Sequence, residues 1–300
     1  ETGINIMINY SIIIPHRNIP KLLQRCLDYI PYRDDVQIIV VDDNSDPQVV
    51  DFDNFPGMNI PNVEVYFTKE GKGAGYARNV GIEHVKGKWV FFADADDYFS
   101  KAFLSTIDTL KESKHDLIYF GSRCVDAITK EIHERDRKYT ELMKEALAGN
   151  EDKYKYTAYV PFAKMIRSDL IRNNSILFDE TVVANDMMGS IRMAYCSKST
   201  GFDERCIYIR EAREGSLMSK QSIQYLVCRF NVWLRVNDFL TDIGFSKYHI
   251  NLIPILLKIL FRGNFNVFRE SCNLLLQDKK VSVNDQVSSL FIYRILKFKK

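Results

Sequence analysis

Apolar runs of strand length alternate with amphipathic segments over the first 120 residues of the chain. Apolar residues at helical spacing predict helices after Pro20, from about Tyr76 to Val85 and over Phe103–Leu110. The apolar runs between polar turns predict five strands, namely Tyr10–Ile14, Val36–Val41, Val63–Phe67, Trp89–Ala93 and Asp116–Phe120. Strands that alternate with helices predict an α/β fold with a mostly parallel sheet and helices on both faces.

The regular alternation stops after Gly121. Residues 123–160 are charged and rich in tyrosine, with one short helix predicted at Thr140–Ala148. From Ser222 onward, apolar residues recur at helical spacing, and one of the predicted helices is Val267–Leu276. We therefore expect an α/β domain over residues 7–220 and a helical region over residues 221–300 packed on it.

The composition indicates a soluble globular protein, with 46% hydrophobic and 27% charged residues in a chain of 300. The net charge of +2 is too balanced for nucleic acid to be the main partner. Six scattered cysteines without a C-x-x-C pair are expected to be small core residues in a reducing compartment. No signal peptide pattern and no run of about 18 apolar residues is present, which predicts a cytoplasmic location.

The apolar run Trp89–Ala93 leads directly into Asp94, Asp96 and Asp97. Three carboxylates this close together are costly to bury unless a positive charge lies among them. Open α/β sheets bind their ligands at the carboxyl ends of the strands. The cluster therefore favours a divalent metal that holds a phosphorylated ligand; the alternative is a solvated turn in which an aspartate caps a helix starting near Lys101.

Two further polar turns follow predicted strands, Pro15-His16-Arg17-Asn18 and Asp42-Asp43-Asn44-Ser45. In a parallel sheet these turns and the acidic cluster emerge at one edge and define a polar cleft. The glycine-rich turn Gly71–Gly75 lacks the dinucleotide pattern, because Tyr76 stands at the last glycine position, and it lacks a Walker lysine. It is either a flexible turn before a helix or a place from which Lys72 and Arg78 reach a diphosphate.

The ordered turns and strands resemble the successive motifs of family 2 glycosyltransferases. The matching motifs are Ser11–Pro15, Val40–Ser45, Gly75–Gly81 and Phe92–Asp97, with a weaker match through Phe162–Arg167, Ile176–Asp179, Asn185-Asp186 and Arg213–Ser216. This family consists of inverting, nucleotide-sugar-dependent enzymes of the GT-A fold, and bacterial members often build surface glycans. The resemblance therefore implies a GT-A domain over residues 7–220.

The resemblance also implies roles for the residues of the cleft. Asp43 would contact the nucleobase, and the loop after Pro15, with Arg17, would flank the nucleotide. Asp94 and Asp96 would form the D-x-D pair that handles the ribose, the diphosphate and the metal, with Asp96 as the direct ligand of Mg²⁺ or Mn²⁺. Asp97 is then expected to begin the next helix.

Asp186 would be the catalytic base that removes a proton from the acceptor hydroxyl. Asn185 stands beside it where the family usually has an acid, and the plain alternative for Asp186 is an acid favoured at a helix N-terminus. Arg210 and Arg213 would clamp the donor diphosphate or a phosphate on the acceptor, or else they are solvated surface charges.

The C-terminal region combines apolar and basic residues at 251–265, with Lys258 and Arg262, and again at 294–300. This pattern fits a core helix followed by a frayed tail, or peripheral contact with the inner face of an anionic membrane. In the second case, a lipid-linked glycan would be a plausible acceptor.

The chain is thus predicted to move a sugar from a nucleotide-diphosphate donor, first of all a UDP-sugar, to a hydroxyl of a glycan or lipid-linked glycan. A nucleotidyltransferase is an alternative, disfavoured because no glycine-rich basic loop follows the first strand. A non-catalytic nucleotide- or glycan-binding module is the other alternative, kept open by Asn185.

Overall fold

The computed structural model describes residues 7–213, 222–263, 265–278 and 280. These residues fall into two compact units. The first contains residues up to 180 together with 188–213, and the second contains 181–187 together with the described residues from 222 onward.

A sheet of eight strands forms the centre of the described first unit. The strands are β1 (Tyr10–His16), β2 (Val36–Asp43), β3 (Val63–Thr68), β4 (Trp89–Phe92), β5 (Tyr98–Phe99), β6 (Leu117–Asp126), β7 (Lys164–Arg167) and β8 (Thr200–Ala212). Their order across the sheet is β3-β2-β1-β4-β7-β6-β8-β5. Strands β1 to β4 are mutually parallel, as predicted, and β6 is parallel to β8.

Helices flank this sheet and make up most of the second unit. They are α1 (Pro20–Asp28), α2 (Ala74–Glu83), α3 (Phe103–Asp108), α4 (Asp136–Leu147), α5 (Glu151–Thr157), α6 (Ser168–Asn173), α7 (Met187–Cys196), α8 (Ile223–Asp242), α9 (Ile253–Arg262) and α10 (Phe265–Gln277). The predicted α/β class with a helical C-terminal part is therefore confirmed. Among the described helices, none combines the length and the apolar character that crossing a membrane requires.

Strands β1, β2 and β4 are buried along their whole length because helices cover both sides of the sheet there, whereas the edge strand β3 is only partly buried. Ile12 and Val40 belong to the core on one face, while Ile13 and Ile39 belong to the core on the other. Helix α2 packs so closely on β1 that a Cβ on Gly81 would lie 2.5 Å from Ile13 Cγ2. This close packing fixes the start of α2 beside the carboxyl ends of β1 and β2.

Three strands of the sheet, β5, β7 and β8, lie outside the predicted set. Strand β7 has only four residues and runs antiparallel to both of its neighbours, β4 and β6. Strand β8 has 13 residues, but Asp203, Glu204 and Arg205 interrupt it and its apolar run is only four residues long, from Cys206 to Ile209. Strands β7 and β8 are held in place by their neighbours more than by their own sequence.

A bulge between β6 and β8 sets the register of the long outer strand. Phe120 pairs with Asp203, whereas the next residue, Gly121, pairs with Cys206. A Cβ on Gly121 would lie 2.3 Å from the Glu204 carbonyl oxygen, so only glycine fits there. Beyond the bulge Ser122 pairs with Tyr208, a residue that reaches the acidic turn after β4.

The six cysteines are free thiols. Cys26 and Cys124 are buried, as expected for small core residues. Cys196 and Cys272 are partly buried and pack against core clusters, whereas Cys206 and Cys228 are partly buried without belonging to one.

Candidate functional site

The loops after β1, β2 and β4 emerge at one edge of the sheet, as the parallel arrangement predicts. His16 at the end of β1 is in register with Asp42 near the end of β2. The Ala93 N–H that follows β4 donates to the Ile13 carbonyl of β1 at 3.0 Å. The edge therefore brings the three polar turns together.

A hydrogen-bond network fixes the first two turns to each other. The Ile19 N–H donates to His16 Nε2 at 3.1 Å, which leaves Nδ1 to donate to Asp42 Oδ2 at 2.8 Å. The Ser45 N–H and hydroxyl also donate to the Asp42 carboxylate. Burial raises the pKa of Asp42, but the hydrogen bonds from His16 and Ser45 outweigh that effect and hold the pKa below its usual value.

Asp43 keeps one carboxylate oxygen without a partner. Its Oδ2 accepts the Gly73 N–H at 2.7 Å and lies 3.6 Å from Arg17 Nη1. Its Oδ1 is buried and has no hydrogen-bond partner. A buried acceptor in this state is a place for an N–H donor of a ligand.

The glycine-rich turn supplies a backbone donor to this network. Gly73 has a φ of +99°, a left-handed conformation that favours glycine, and its N–H is the one that reaches Asp43. Lys72 lies 3.4 Å from Glu180 and 4.8 Å from the centroid of the Tyr76 ring, with half of its side chain exposed. The role of Lys72 at a diphosphate stays a prediction.

Arginines supply the positive charge within the acidic turn. Arg78 Nη2 lies 2.6 Å from Asp94 Oδ1, and Arg213 contacts Asp96 Oδ2 through Nη2 at 2.8 Å and Nε at 3.1 Å. The side chains of Asp94 and Asp96 are 32% and 28% exposed, so a ligand can reach both. Burial raises the pKa of Asp94; Arg78 opposes that rise and Asp96 adds to it.

Asp97 does not begin a helix, so that prediction was wrong. Its buried carboxylate accepts the Tyr208 hydroxyl at 3.0 Å and the Glu211 N–H at 3.1 Å. Strand β5 comes next, and α3 begins only at Phe103, with no side-chain cap. The alternative of a solvated turn that caps a helix is wrong for the same reason: β8, which was not predicted, supplies the donors. Burial, then Asp96 and Asp94, raise the pKa of Asp97 well above its usual range.

Residues far away in the chain hold the backbone of the acidic turn. The Tyr208 hydroxyl accepts the Asp94 N–H at 2.8 Å while it donates to Asp97, so it ties the two together. Arg25 on α1 donates to the Asp96 carbonyl at 2.6 Å and to Glu211 at 2.5 Å. Sequence reasoning missed Arg25 and Tyr208; for Tyr208 the available signal was the short apolar run around it in β8.

Asp186 and Asn185 belong to the second unit, in the segment that leads into α7. Asn185 Nδ2 donates to the Thr181 carbonyl at 3.2 Å, and the Met187 N–H donates to the Ala184 carbonyl at 3.4 Å. Asp186 is partly exposed. Its role as the base stays a prediction, and Gly215 and Ser216 of the last motif lie outside the described residues.

The acidic turn suits a divalent cation. Two partly exposed carboxylates offer the hard oxygen ligands that Mg²⁺ and Mn²⁺ prefer. Within the described ranges no group of three or more His, Cys, Asp or Glu side chains is placed to hold a metal. The residues therefore fit a cation whose remaining ligands come from substrate phosphates and water, as is usual for Mg²⁺.

A family model decides the relationship that these motifs suggest. The model described as "Glycosyl transferase family 2" matches residues 11–174, which is more than half of the chain. The chain belongs to this family. Membership of a glycosyltransferase family, predicted from the ordered motifs, is thereby confirmed.

Two curated relatives are named as poly(ribitol-phosphate) glycosyltransferases. The chain is 24% identical over 227 residues to the poly(ribitol-phosphate) beta-N-acetylglucosaminyltransferase TarS of Staphylococcus aureus, which covers 71% of this chain and 37% of TarS. It is 35% identical over 113 residues to a poly(ribitol-phosphate) beta-glucosyltransferase of Bacillus spizizenii, which covers 36% of this chain and 18% of the relative. The chain thus spans well under half the length of either protein.

Solved structures confirm the predicted GT-A fold. Residues 1–349 of S. aureus TarS in complex with UDP-GlcNAc match with a TM-score of 0.66 at 20% identity, over 89% of this chain and 79% of that one. The mannosyltransferase PcManGT of Pyrobaculum calidifontis, in complex with GDP-Man and Mn²⁺, matches with a TM-score of 0.56 at 14% identity, over 98% and 81%. At these identities the likeness establishes the fold.

Proposed function

We propose that this chain is a metal-assisted, inverting glycosyltransferase that moves a sugar from a UDP-sugar to a hydroxyl of a glycan. The observation that carries the proposal is the shared edge of the sheet. There Asp43 keeps a buried oxygen without a partner, and Asp94 and Asp96 lie against Arg78 and Arg213. This edge offers a hydrogen-bond acceptor for a nucleobase, carboxylates for a cation and arginines for phosphates.

The free oxygen of Asp43 fits uracil. Uracil has one ring N–H donor between two carbonyl acceptors, and a buried carboxylate oxygen without a partner can accept that donor. Arg17 beside Asp43 and the loop after Pro15 would flank the nucleotide. The S. aureus relative, which was solved with UDP-GlcNAc, supports UDP over other nucleotides.

The donor diphosphate would lie at the acidic turn. Asp96 and Asp94 would hold Mg²⁺ or Mn²⁺, which when bound supplies neutralising charge for the leaving nucleoside diphosphate. Arg78 is 5% exposed and sits against Asp94, so its guanidinium is positioned before the donor arrives. Lys72 in the glycine-rich turn has a long, half-exposed side chain, and it would add a further positive charge near the diphosphate.

Asp186 is the proposed catalytic base. It would take the proton of the acceptor hydroxyl while the hydroxyl oxygen forms its bond to the anomeric carbon. The bond from that carbon to the diphosphate oxygen breaks in the same step, and its electron pair leaves with UDP. Attack opposite the leaving group inverts the anomeric centre. With Asn185 as its neighbour, Asp186 would act without a second carboxylate at that position.

The acceptor is proposed to be a phosphate-bearing surface glycan or a lipid-linked glycan, because both curated relatives are named for poly(ribitol-phosphate).

Contact with a membrane is proposed for α9 and the start of α10. There Leu257, Phe261 and Phe265 are 42%, 82% and 66% exposed, and the basic residues Lys258 and Arg262 are also exposed. Apolar and basic side chains on one helix suit an anionic lipid surface at the inner face of a membrane.

Thermal shift measurements against UDP-, GDP-, dTDP- and CMP-sugars, with Mn²⁺ and with EDTA, test the donor assignment. We expect UDP-sugars with Mn²⁺ to raise the unfolding temperature most, because binding to the folded state alone stabilises it. Stabilisation by another nucleotide would move the assignment to that nucleotide. An absence of any shift across the whole panel would contradict the proposed function.

The variant Asp186→Asn tests the base. We expect transfer to fall by about 10²- to 10⁴-fold, the usual contribution of general base catalysis. The affinity for UDP, measured by calorimetry, should stay unchanged, because the base acts on the acceptor. Transfer at the rate of the unmodified protein would remove Asp186 from the mechanism while leaving the donor site untouched.

A further inference from the structure

Arg210 on β8 lies partly buried between two aromatic rings and forms no ion pair with a described residue. Its guanidinium carbon lies 4.7 Å from the centroid of Tyr139 on α4 and 5.4 Å from the centroid of Phe162. Its Nε and Nη2 atoms are buried and make no hydrogen bond. Arg210 is thus a charged side chain that stacks on aromatic rings but has N–H groups without an acceptor.

The neighbouring arginines of the first unit differ from Arg210 because each of them forms an ion pair. Arg78 is paired with Asp94, and Arg25 is paired with Glu211. Among the described residues no carboxylate forms an ion pair with Arg210. Buried N–H groups of a charged side chain are costly when no carboxylate or other acceptor faces them, so this arrangement points to an anion that binds at Arg210.

Lys138 shares the same aromatic ring. Its Nζ lies 5.5 Å from the Tyr139 centroid and 3.4 Å from the Thr157 carbonyl. Burial, followed by the charge of Arg210, lowers the pKa of Lys138. Two cations therefore face one ring and repel each other, and an anion between them would relieve that repulsion.

Arg210 and Lys138 lie on the side of the acidic turn that faces away from β1 and β2. The Phe162 ring stacks on the Tyr208 ring at 4.9 Å and 9°, and Tyr208 holds Asp94 and Asp97. In the sheet, β8 and β6 are separated by β7 and β4 from β1 and β2, whose ends carry Asp43. The donor diphosphate already has Arg78 and Arg213 at the acidic turn.

We propose that Arg210 and Lys138, with Tyr139 and Phe162 as walls, form a subsite for a phosphate group of the acceptor. This inference rests on the proposed function, because it assigns the second substrate of the same reaction. A guanidinium presents parallel N–H donors that match two phosphate oxygens, and the rings keep it in place. The subsite would favour acceptors with a phosphate near the reactive hydroxyl over neutral glycans.

Calorimetry with a ribitol-phosphate oligomer and with UDP tests the subsite in the variant Arg210→Met, which keeps the apolar stem. The matched control is Arg205→Gln on the same strand, because Arg205 is exposed and paired with Asp203. We expect Arg210→Met to weaken oligomer binding by about ten- to a hundredfold, the usual effect of losing charged hydrogen bonds. UDP affinity should not change, and the control should change neither affinity.

Thermal unfolding separates this role from a structural one. Without ligand, Arg210→Met should unfold at the same temperature as the unmodified protein or higher, since it removes an unpaired buried charge. A lower unfolding temperature with unchanged oligomer affinity would make Arg210 a packing residue and overturn the proposal. A loss of UDP affinity would instead assign Arg210 to the donor, which also overturns it.

The two proposals can fail separately. If the unmodified protein binds the oligomer through Arg210 but transfers no sugar to it, the proposed function falls and the phosphate subsite stands. If sugar is transferred and Arg210→Met binds the oligomer as tightly as the unmodified protein, the subsite falls and the glycosyltransferase stands. An unmodified protein that does not bind the oligomer contradicts the subsite directly.

Discussion

The two halves of the sheet are organised differently although they meet at one acidic turn. Strands β1 to β4 are parallel, and polar turns follow β1, β2 and β4, each of which is buried along its whole length. Strands β6 to β8 include an antiparallel strand, a bulge at Gly121 and a long strand with charged residues. The first half carries the proposed ligand-binding groups on its own loops, whereas residues of the second half form hydrogen bonds that hold the acidic turn.

The largest expected effect in this comparison is that of Asp96→Asn on the rate of transfer, and it tests whether the first half of the sheet carries the proposed cation site. It removes the carboxylate proposed to bind the cation and leaves Arg213 without its ion-pair partner. We expect the rate of transfer to fall by about 10²- to 10³-fold, as for other losses of electrostatic stabilisation in a transition state.

The same variant should lose most of its response to Mn²⁺, measured as the rise in unfolding temperature in the presence of UDP. Asp28→Asn, an exposed acid on α1, is a suitable control and should respond as the unmodified protein does. An Asp96→Asn variant with full activity and an unchanged response to Mn²⁺ would remove Asp96 from the site.

A smaller effect tests whether the second half holds the acidic turn. Tyr208→Phe removes a hydroxyl that accepts the Asp94 N–H and donates to Asp97. We expect it to lower the free energy of unfolding by about 1–3 kcal/mol, because buried partners lose their hydrogen bonds. Urea-induced unfolding measures this change.

Tyr119→Phe is the matched control for this prediction. Tyr119 is also a buried tyrosine of the sheet, but its hydroxyl has no hydrogen-bond partner. Its loss should leave the free energy of unfolding unchanged or raise it. Equal destabilisation by the two substitutions would mean that the ring environment, and not the tie to the acidic turn, sets the result.

The difference between the halves also explains what could be predicted from the sequence. Asp43, Arg78, Asp94 and Asp96 follow strands or open a helix with a clear local pattern, so a reader of the sequence can place them on one edge. Tyr208 is 114 residues away from Asp94, and no local pattern reports a contact over such a separation.

The errors have the same origin. Asp97 was expected to begin a helix, because acids are common at helix N-termini. Its carboxylate instead accepts hydrogen bonds from Tyr208 and Glu211 on β8, a strand outside the predicted set. Strand β8 was missed because charged residues interrupt its apolar pattern, and β7 because it has only four residues. Tertiary pairing outweighs local propensity in both strands.

The central claim is that the first half of the sheet binds the nucleotide, and UDP titration in Mn²⁺ tests it most directly. The comparison is between Asp43→Ala and Asp53→Ala, an exposed acid in the same loop region. We predict that the unmodified protein and Asp53→Ala bind UDP with equal affinity, and that Asp43→Ala weakens binding about tenfold or more, as expected for a lost charged hydrogen bond. Undiminished UDP binding by Asp43→Ala, or no binding by the unmodified protein, would contradict the account.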